Sequence, residues 1–383
     1  MKRIALYYPW IHLRSGVERS ILEIARRSRH GYTVFTNYYD RDQTFPEFAG
    51  LDNVVVLRAI TVERSFAETL KAVRTIRGQR LDMGRFDALL VSSEGLGDFI
   101  TLRNHEKPVI CYCHSLARPI YDSVYRETLL RRRSHYRVPL ACLAPFYRIA
   151  SRRAWRHYQR VFVNSLETQN QVTAARLCPS SRVEVLHPGV DLNRIRPTFR
   201  YEQWFLHVGR IKWTKNVELA VRAFLAFKNT YAGAREWKLV VAGDVDQHDR
   251  TYLEELQGLS RSEPAIEFRL TPSATELDDL YDRCSAVLFT SLSEPWGIVP
   301  IEAMAFGKPV LAVNRGGPTE SVTDGETGAL LDPTPQAFAE QMAYLADHPE
   351  EIRRMGSKAV ERAGLYSWDT FVKRLDEYIE HHC

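Results

Sequence analysis

Short β-branched segments alternate regularly with segments of helical periodicity along this chain. The alternation begins with the strand-like run RIALYY at 3–8 and the helical run GVERSILEIARRS at 16–28. A turn-rich segment without periodicity, HPGVDLNRIRPTFR, interrupts it at 187–200, and the alternation restarts at WFLHVG. Such alternation is typical of parallel sheets covered by helices. The sequence therefore predicts an α/β protein with two doubly wound, Rossmann-like domains facing across a cleft.

The interruption and the chain length set the predicted domain boundaries. At 383 residues the chain is long enough for two ordinary domains. We predict a first domain over 1–190, a linker over 191–200 and a second domain over 201–365. The last segment, 366–383, is predicted as a helix that crosses back to the first domain.

Charge is distributed unevenly between the two halves. Residues 1–190 carry 30 Lys and Arg against 17 Asp and Glu, whereas the remainder carries 22 against 30. The stretch from Arg118 to Arg160 holds eleven arginines, no lysine and two acidic residues. This stretch is either a solvated helical face or a surface that sits on anionic lipid. Nucleic acid is not expected as a partner, because no nucleic-acid-binding module is visible.

Targeting signals are not apparent in the sequence. The N-terminus is too short and too broken for a signal peptide, and no uncharged apolar run approaches the ~18 residues of a spanning helix. Six scattered cysteines suggest no disulfide framework. We expect a cytoplasmic protein, or one bound peripherally to the inner face of the membrane.

The segment EPWGIVPIE at 294–302 is the first candidate site. It follows the predicted strand AVLFTS, and ligands of open α/β sheets bind at the carboxyl ends of strands. Glu294 would lie on the loop and Glu302 near the start of the next helix, where the amides of Gly297, Ile298 and Val299 could bind an anion. Hydroxyl groups of the same ligand could donate to the two carboxylates. Taken alone, solvated helix-end charges are the commoner explanation of this spacing.

Three further residues strengthen the interpretation as an anion site. Arg210 and Lys215, in GRIKWTKN, follow the predicted strand WFLHVG and supply cations at the same kind of sheet edge. Gly16 begins the first predicted helix, where a backbone can approach a phosphate closely. Each of the three, considered alone, is more often a surface charge or a turn.

Together these motifs resemble the family 4 retaining glycosyltransferases of the GT-B fold. The resemblance rests on Glu294 and Glu302 in an E-x7-E pattern, on Arg210 and Lys215, on HPGVDLNRIRP, and on GKPVLAVNRGGPTESVTDGETGALL. The stretch YCHSLARPIYD around His114 is similar to nucleotide-sugar-dependent mannosyltransferases of this group. One position departs from the family pattern, since Ser15 stands where the family usually has the first of two glycines.

The resemblance implies a role for each matching residue. Arg210 and Lys215 would bind the donor diphosphate. Glu294 would contact hydroxyls of the donor sugar, and Glu302 the ribose. Phosphate or sugar oxygens would be bound by the amides of Ile298 and Val299, in the loop that contains Gly297.

Residues of the first domain would complete the site. Gly16 would close on the diphosphate, and His114 would lie at the sugar ring. A serine at position 15 puts this closure in doubt if the position requires a positive φ.

The implied function is retaining hexosyl transfer, with GDP-mannose as the favoured donor and a glycan or lipid-linked molecule as the acceptor. No cofactor and no metal are expected. The D-x-D pair Asp244 and Asp246 is interpreted as a loop, and Cys111, Cys113 and His114 would alternate faces along a strand rather than converge on a metal. The alternatives are a transferase that uses a UDP-sugar, a nucleotide-sugar epimerase on the same fold, and a non-catalytic lipid- or nucleic-acid-binding protein.

Overall fold

The chain divides into two compact units in the computed structural model, which describes residues 1–62 and 65–383. The first unit consists of Met1–Pro188 and Trp368–Cys383, and the second consists of Gly189–Ser367. Val190 and Ser367, at the two ends of the second unit, form a parallel β-bridge. The chain therefore enters and leaves the second unit through adjacent segments.

The elements alternate along the chain, as the sequence predicts. The strands are β1 (Arg3–Tyr7), β2 (Trp10–Ile11), β3 (Gly31–Thr36), β4 (Tyr38–Tyr39), β5 (Val54–Val56), β6 (Ala88–Ser93), β7 (Val109–Cys113), β8 (Arg160–Val163), β9 (Val183–Val185), β10 (Trp204–Val208), β11 (Lys238–Gly243), β12 (Ile266–Leu270), β13 (Ala286–Phe289), β14 (Val310–Val313) and β15 (Gly328–Leu331). The helices are α1 (Gly16–Arg27), α2 (Phe66–Gly78), α3 (Arg118–Tyr121), α4 (Ser123–Arg132), α5 (Arg137–Trp155), α6 (Leu166–Ala174), α7 (Val217–Thr230), α8 (Arg250–Leu259), α9 (Ala274–Arg283), α10 (Ile298–Ala305), α11 (Pro318–Ser321), α12 (Pro335–Asp347), α13 (Pro349–Ala363) and α14 (Trp368–His382).

The first unit is built on a seven-stranded parallel sheet in the order β5-β3-β1-β6-β7-β8-β9. Strand β6 is buried at all six positions, which is expected of a central strand covered by helices on both faces. Helix α14 packs on this unit, with Phe371 set edge-on against Tyr112 of β7 at 5.0 Å between ring centroids. The final helix thus contributes to the core of the first unit.

The second unit is built on a six-stranded parallel sheet in the order β12-β11-β10-β13-β14-β15. Its core includes Phe205 of β10, which stacks on Trp237 at 4.7 Å. Strands β10 and β13 are neighbours at the centre of the sheet, so the loops that follow them emerge side by side.

The predicted fold class is confirmed, but seven elements have no predicted counterpart, namely β2, β4, β15, α3, α4, α5 and α11. Strand β15, with the sequence GALL, was not predicted, because a short run with Gly and Ala carries little β propensity. The 19-residue helix α5 was also not assigned as an element, and it contains Pro145, a residue that ordinarily signals a helix boundary.

Candidate active site

The loop after β13 ends at a glycine that no other residue can replace without strain. Gly297 has φ +84° and is the N-cap of α10. A Cβ at this position would lie 2.9 Å from Cζ of Phe289. Among the described residues no side chain caps this helix, so the first-turn amides of Ile298 and Val299 have no partner within the helix itself.

Glu294, on this loop, is paired with Lys215. Nζ of Lys215 lies 2.6 Å from Oε2 of Glu294, and both side chains are mostly buried. The residues come from the loops after β13 and β10, two neighbouring strands. A lysine and a glutamate 79 positions apart are therefore brought into contact at the carboxyl edge of the sheet.

Hydrogen bonds from the end of β13 hold the Lys215 loop in place. The hydroxyl of Thr290 donates to the carbonyl oxygens of Lys215 and Asn216, at 3.1 and 2.9 Å. The hydroxyl of Ser291 donates to the Thr214 carbonyl at 3.0 Å. Asn216 itself is left-handed, with φ +50°, and its side-chain amide donates to the Thr290 carbonyl. The position of Lys215 is thus fixed by the neighbouring strand.

Arg210 lies at the end of β10, where two backbones approach closely. A Cβ on Gly243 would lie 1.9 Å from the Gly209 carbonyl oxygen, so only glycine permits this contact. Nη1 of Arg210 is buried, makes no hydrogen bond within the described part of the chain, and lies 4.0 Å from Oδ2 of Asp246. The D-x-D segment thus places Asp246 beside a guanidinium.

Glu302 lies one turn inside α10. Its Oε2 accepts a hydrogen bond from the Tyr281 hydroxyl at 3.1 Å. Tyr281 is buried and stacks on Phe306 at 5.3 Å. Burial raises the pKa of Tyr281 well above its usual value, so this phenol remains a donor to Glu302.

A pair of glycines that sequence reasoning did not assign packs against the Glu294 loop. The amide of Gly317 donates to the Glu294 carbonyl at 2.9 Å. A Cβ on Gly316 would lie 2.4 Å from that same carbonyl oxygen, and one on Gly317 would lie 2.0 Å from the Trp296 carbonyl oxygen. The adjacent glycines in NRGGPTE are the sequence feature that indicates a close backbone approach. The sequence does not show which backbone they approach.

A second unassigned residue, His207, is buried on β10 near Lys215. Burial, together with the nearby charge of Lys215, lowers its pKa to about 4. The imidazole is therefore neutral at physiological pH and does not add a second positive charge beside Lys215.

In the first unit, Gly16 is the opening residue of α1 and Ser15 is its N-cap. Ser15 has φ −113°, which is ordinary extended backbone, and its hydroxyl oxygen accepts from the Val17 amide at 3.2 Å. The strain considered for a serine at this position is therefore absent. Ser15 also donates to the carboxylate of Glu18, a buried residue of the same turn.

His114 follows β7 in the first unit and is only 7% exposed. Its Nε2 lies 2.8 Å from the Ser92 hydroxyl, and its carbonyl accepts from the Asn164 side chain at 2.8 Å. Burial lowers the pKa of His114 to about 3, so the ring is a neutral hydrogen-bonding group.

Cys111 and Cys113 are buried free thiols on β7, the strand that His114 follows. Within residues 1–62 and 65–383, no group of three His, Cys, Asp or Glu side chains is arranged to hold a metal. In the same residues, no helix combines the length and the apolar composition that a membrane crossing requires.

The candidate residues therefore fall into two sets, one in each unit. The second unit brings together Lys215 and Glu294, with Arg210 at the end of β10 and the glycine-capped start of α10 after β13. The first unit places Gly16 and His114 after β1 and β7 of its own sheet. Two parallel sheets with charged and glycine-rich loops at their carboxyl ends are typical of α/β proteins that bind phosphate-containing ligands there.

Comparison with protein families identifies the class of enzyme. The model for glycosyl transferases group 1 matches residues 194–362, and the model for glycosyltransferase family 4 matches residues 14–194. The two matches together account for most of the chain, and the chain belongs to the family 4 glycosyltransferases.

Individual relatives agree with this assignment. The chain is 25% identical to an alpha-1,3/1,6-mannosyltransferase ALG2 of Dictyostelium discoideum, over 98% of this chain and 97% of that protein. It is 28% identical to the ALG2 of Mus musculus, over 73% of this chain and 69% of that protein. It is 31% identical to a D-inositol 3-phosphate glycosyltransferase of Streptomyces scabiei, over 55% of this chain and 51% of that protein.

Solved structures show the same fold. Anabaena HepE, in complex with UDP and glucose, superimposes with a TM-score of 0.74 at 19% identity over 99% of this chain and all of that one. Sucrose-phosphate synthase from Thermosynechococcus elongatus gives a TM-score of 0.78 at 18% identity, over all of this chain and 99% of that one. The fold is GT-B, as the sequence predicts.

Proposed function

We propose that this glycosyltransferase transfers mannose from GDP-mannose, with retention of configuration, to a lipid-linked or glycan acceptor. The observation that carries the proposal is the contact between Lys215 and Glu294 beside the glycine-capped start of α10. The choice of mannose is supported by the Dictyostelium ALG2 mannosyltransferase, which aligns with the chain nearly end to end.

We assign donor binding to the second unit. Lys215 and Arg210 would bind the diphosphate, and their charge would stabilise the departing GDP as negative charge develops on it. The amides at the start of α10 would add neutral donors to phosphate or sugar oxygens. Glu294 would accept from hydroxyls of the mannose, and Glu302, oriented by Tyr281, from the ribose.

The proposed chemistry requires no protein nucleophile. The bond from the anomeric carbon to the phosphate oxygen breaks, and a bond to the acceptor oxygen forms on the same face of the sugar. The hydroxyl proton of the acceptor passes to the departing phosphate. Because the pKa of His114 is lowered to about 3, this residue would position a sugar hydroxyl rather than supply a proton. We assign acceptor binding to the first unit, which carries Gly16 at the start of α1.

Helix α5 supports peripheral contact with an anionic membrane. Its outward face carries Val138, Phe146 and Ile149, which are 70%, 72% and 52% exposed, at spacings that place them on one stripe. Exposed arginines flank this stripe in sequence on both sides, at Arg131, Arg132, Arg133, Arg137, Arg152, Arg153 and Arg156. An apolar stripe with a basic border is the pattern of a helix that lies in a lipid interface.

This membrane proposal is tested by vesicle flotation of the double variant Phe146→Ser, Ile149→Ser. We expect the variant to lose binding to vesicles of phosphatidylcholine with phosphatidylglycerol, while Leu365→Ser, an exposed apolar residue of the second unit, leaves binding unchanged. Equal binding by both variants would contradict a role for α5.

The donor proposal is tested by thermal stabilisation with GDP-mannose, GDP, UDP-glucose, UDP-N-acetylglucosamine and UDP. We expect GDP and GDP-mannose to raise the melting temperature and the uridine compounds to have little effect. Stabilisation by the uridine series alone would instead assign a UDP-sugar donor.

Mannosyl transfer itself is read from the products. Incubation with GDP-mannose alone should release GDP only slowly, whereas conversion of GDP-mannose into another nucleotide sugar would identify an epimerase. An unchanged melting temperature with every nucleotide would contradict the assigned site.

A further inference from the structure

The first unit contains a pocket of about 900 Å³ that none of the proposed donor residues lines. The cationic side chains that line it are Arg58, Lys71, Arg74, Arg77 and Arg103. Among the described residues that line the pocket, none is acidic. Its volume is in the range of pockets that bind small molecules.

Three separate elements bring these cations together. Lys71, Arg74 and Arg77 recur every three residues along α2 and so share one face of that helix. The opposite side of α2 is held to the core by Ala72 and Ile76. Arg58 follows β5, and Arg103 ends the 3-10 helix Leu96–Leu102. The pocket is therefore a product of the fold and not of one charged run.

Of the five cations that line this pocket, Lys71 alone is paired with a carboxylate among the described residues. Lys71 has a partner in Glu68, at 3.5 Å. The four arginines form no ion pair with any carboxylate in residues 1–62 and 65–383. A bound anion would form charge-assisted hydrogen bonds with guanidinium groups placed in this way.

We infer that this pocket binds a phosphate or pyrophosphate group, independently of the donor diphosphate. Guanidinium groups form paired hydrogen bonds with phosphate oxygens, and several converging arginines favour a ligand with at least two negative charges. The phosphate belongs either to a free phosphorylated molecule or to the head group of an anionic lipid. This inference does not depend on which nucleotide sugar the second unit uses.

The test measures pyrophosphate binding by calorimetry in four proteins. These are the wild type, the double variant Arg74→Ala, Arg77→Ala, the donor-site variant Lys215→Ala, and Arg26→Ala as a control for loss of an exposed arginine outside the pocket. We expect the double variant to bind pyrophosphate at least about tenfold more weakly, since charge-assisted contacts are lost. Lys215→Ala and Arg26→Ala should retain this binding.

A second arm distinguishes the two sources of phosphate. If the ligand is a lipid head group, the double variant loses binding to phosphatidylglycerol-containing vesicles, Arg26→Ala does not, and pyrophosphate binds weakly to every variant. If the double variant matches the wild type with both probes, the inference is wrong. Loss of stabilisation by GDP in the double variant would place these arginines in the donor site and would also overturn the inference.

Discussion

Among single residues, the contact between Lys215 and Glu294 places both signs of charge in the donor site that we propose. An ammonium group has three donors, and Glu294 occupies one of them at 2.6 Å. In the proposed site the other two would donate to phosphate oxygens. Because the Thr290 hydroxyl also holds the Lys215 backbone, the ammonium is in position before a ligand binds. Charge that is preorganised in this way stabilises a transition state most effectively.

The first prediction concerns this pair. We expect Lys215→Ala and Glu294→Ala each to lower the rate of mannosyl transfer by about 10²–10³ or more, as loss of a preorganised electrostatic contact does. Lys358→Ala removes an exposed lysine of α13 and should leave the rate unchanged. Initial rates of GDP release with acceptor present, together with circular dichroism to verify folding, provide the measurement. Near-normal turnover in either site variant would show that the pair is not part of the active site.

The second prediction concerns Glu18, whose burial raises its pKa from 4.5 to about 7, with the charge of Glu94 adding to the effect. The ionised form is disfavoured in the folded state. The contribution of the protonated Glu18 carboxyl to the free energy of unfolding is therefore complete below pH 4.5. It declines as the pH rises and is lost above about pH 7. Its size is about 3 kcal/mol, since each unit of pKa corresponds to about 1.4 kcal/mol.

The measurement compares the wild type with Glu18→Gln, which does not ionise. The free energy of unfolding of the wild type relative to the variant should fall by about 3 kcal/mol between pH 4.5 and pH 8 in urea titrations. A difference that does not change with pH would show that Glu18 is solvated in the folded protein.

At the scale of elements, the sequence predicts best the strands that are apolar throughout. Strand β6 reads as ALLVSS and is buried at every position, so its pattern alone identifies it. Strand β15 escapes prediction because GALL gains its strand conformation from pairing with β14. Helix α5 escapes because Pro145 usually ends a helix, whereas here it lies inside one.

The same distinction applies to the candidate site. Glu294, Arg210 and Lys215 follow predicted strands, so their place at the sheet edge could be expected from the order of elements. The contact between Lys215 and Glu294 could not be predicted from the sequence, because it depends on which strands are neighbours in the sheet. Likewise, the packing of Gly317 against Trp296 depends on tertiary structure.

The third prediction tests that packing. We expect Gly317→Ala to reduce donor binding and to lower the free energy of unfolding by about 1–3 kcal/mol, because the new Cβ would lie 2.0 Å from the Trp296 carbonyl oxygen. Gly258→Ala is the matched control, since a Cβ there meets open space on α8 and should stabilise the helix by up to about 1 kcal/mol. Thermal unfolding with and without GDP measures both effects. Equal behaviour of the two variants would show that the Glu294 loop tolerates displacement.

At the scale of the whole molecule, the last helix of the chain supports the first unit. Trp368, Phe371, Leu375 and Ile379 of α14 are buried. Phe371 contacts Tyr112, whose ring in turn lies edge-on to His114 at 4.7 Å between centroids. The final segment of the sequence thus helps to position a proposed sugar-binding residue at the carboxyl end of β7.

Polar contacts reinforce this packing. The Ser28 hydroxyl donates to Asp376 at 2.5 Å, and Arg374 pairs with Glu184 at 2.6 Å. The second unit, by contrast, is continuous from Gly189 to Ser367 and contains no part of α14. The two units should therefore respond differently to loss of this helix.

The fourth prediction is that removal of residues 368–383 unfolds the first unit and leaves the second one folded. Burial of four large apolar side chains contributes about 6–12 kcal/mol as an upper estimate, which is comparable to the total stability of a domain. Hydrogen exchange should show that peptides from 1–188 lose protection while peptides from 189–367 keep it, and stabilisation by GDP should persist. Removal of 381–383 alone is the control and should change neither unit, because His381 and His382 are exposed. Retained protection in β7 of the shorter chain would mean that α14 is dispensable for the first unit, and the route from Phe371 through Tyr112 to His114 would then have no structural role.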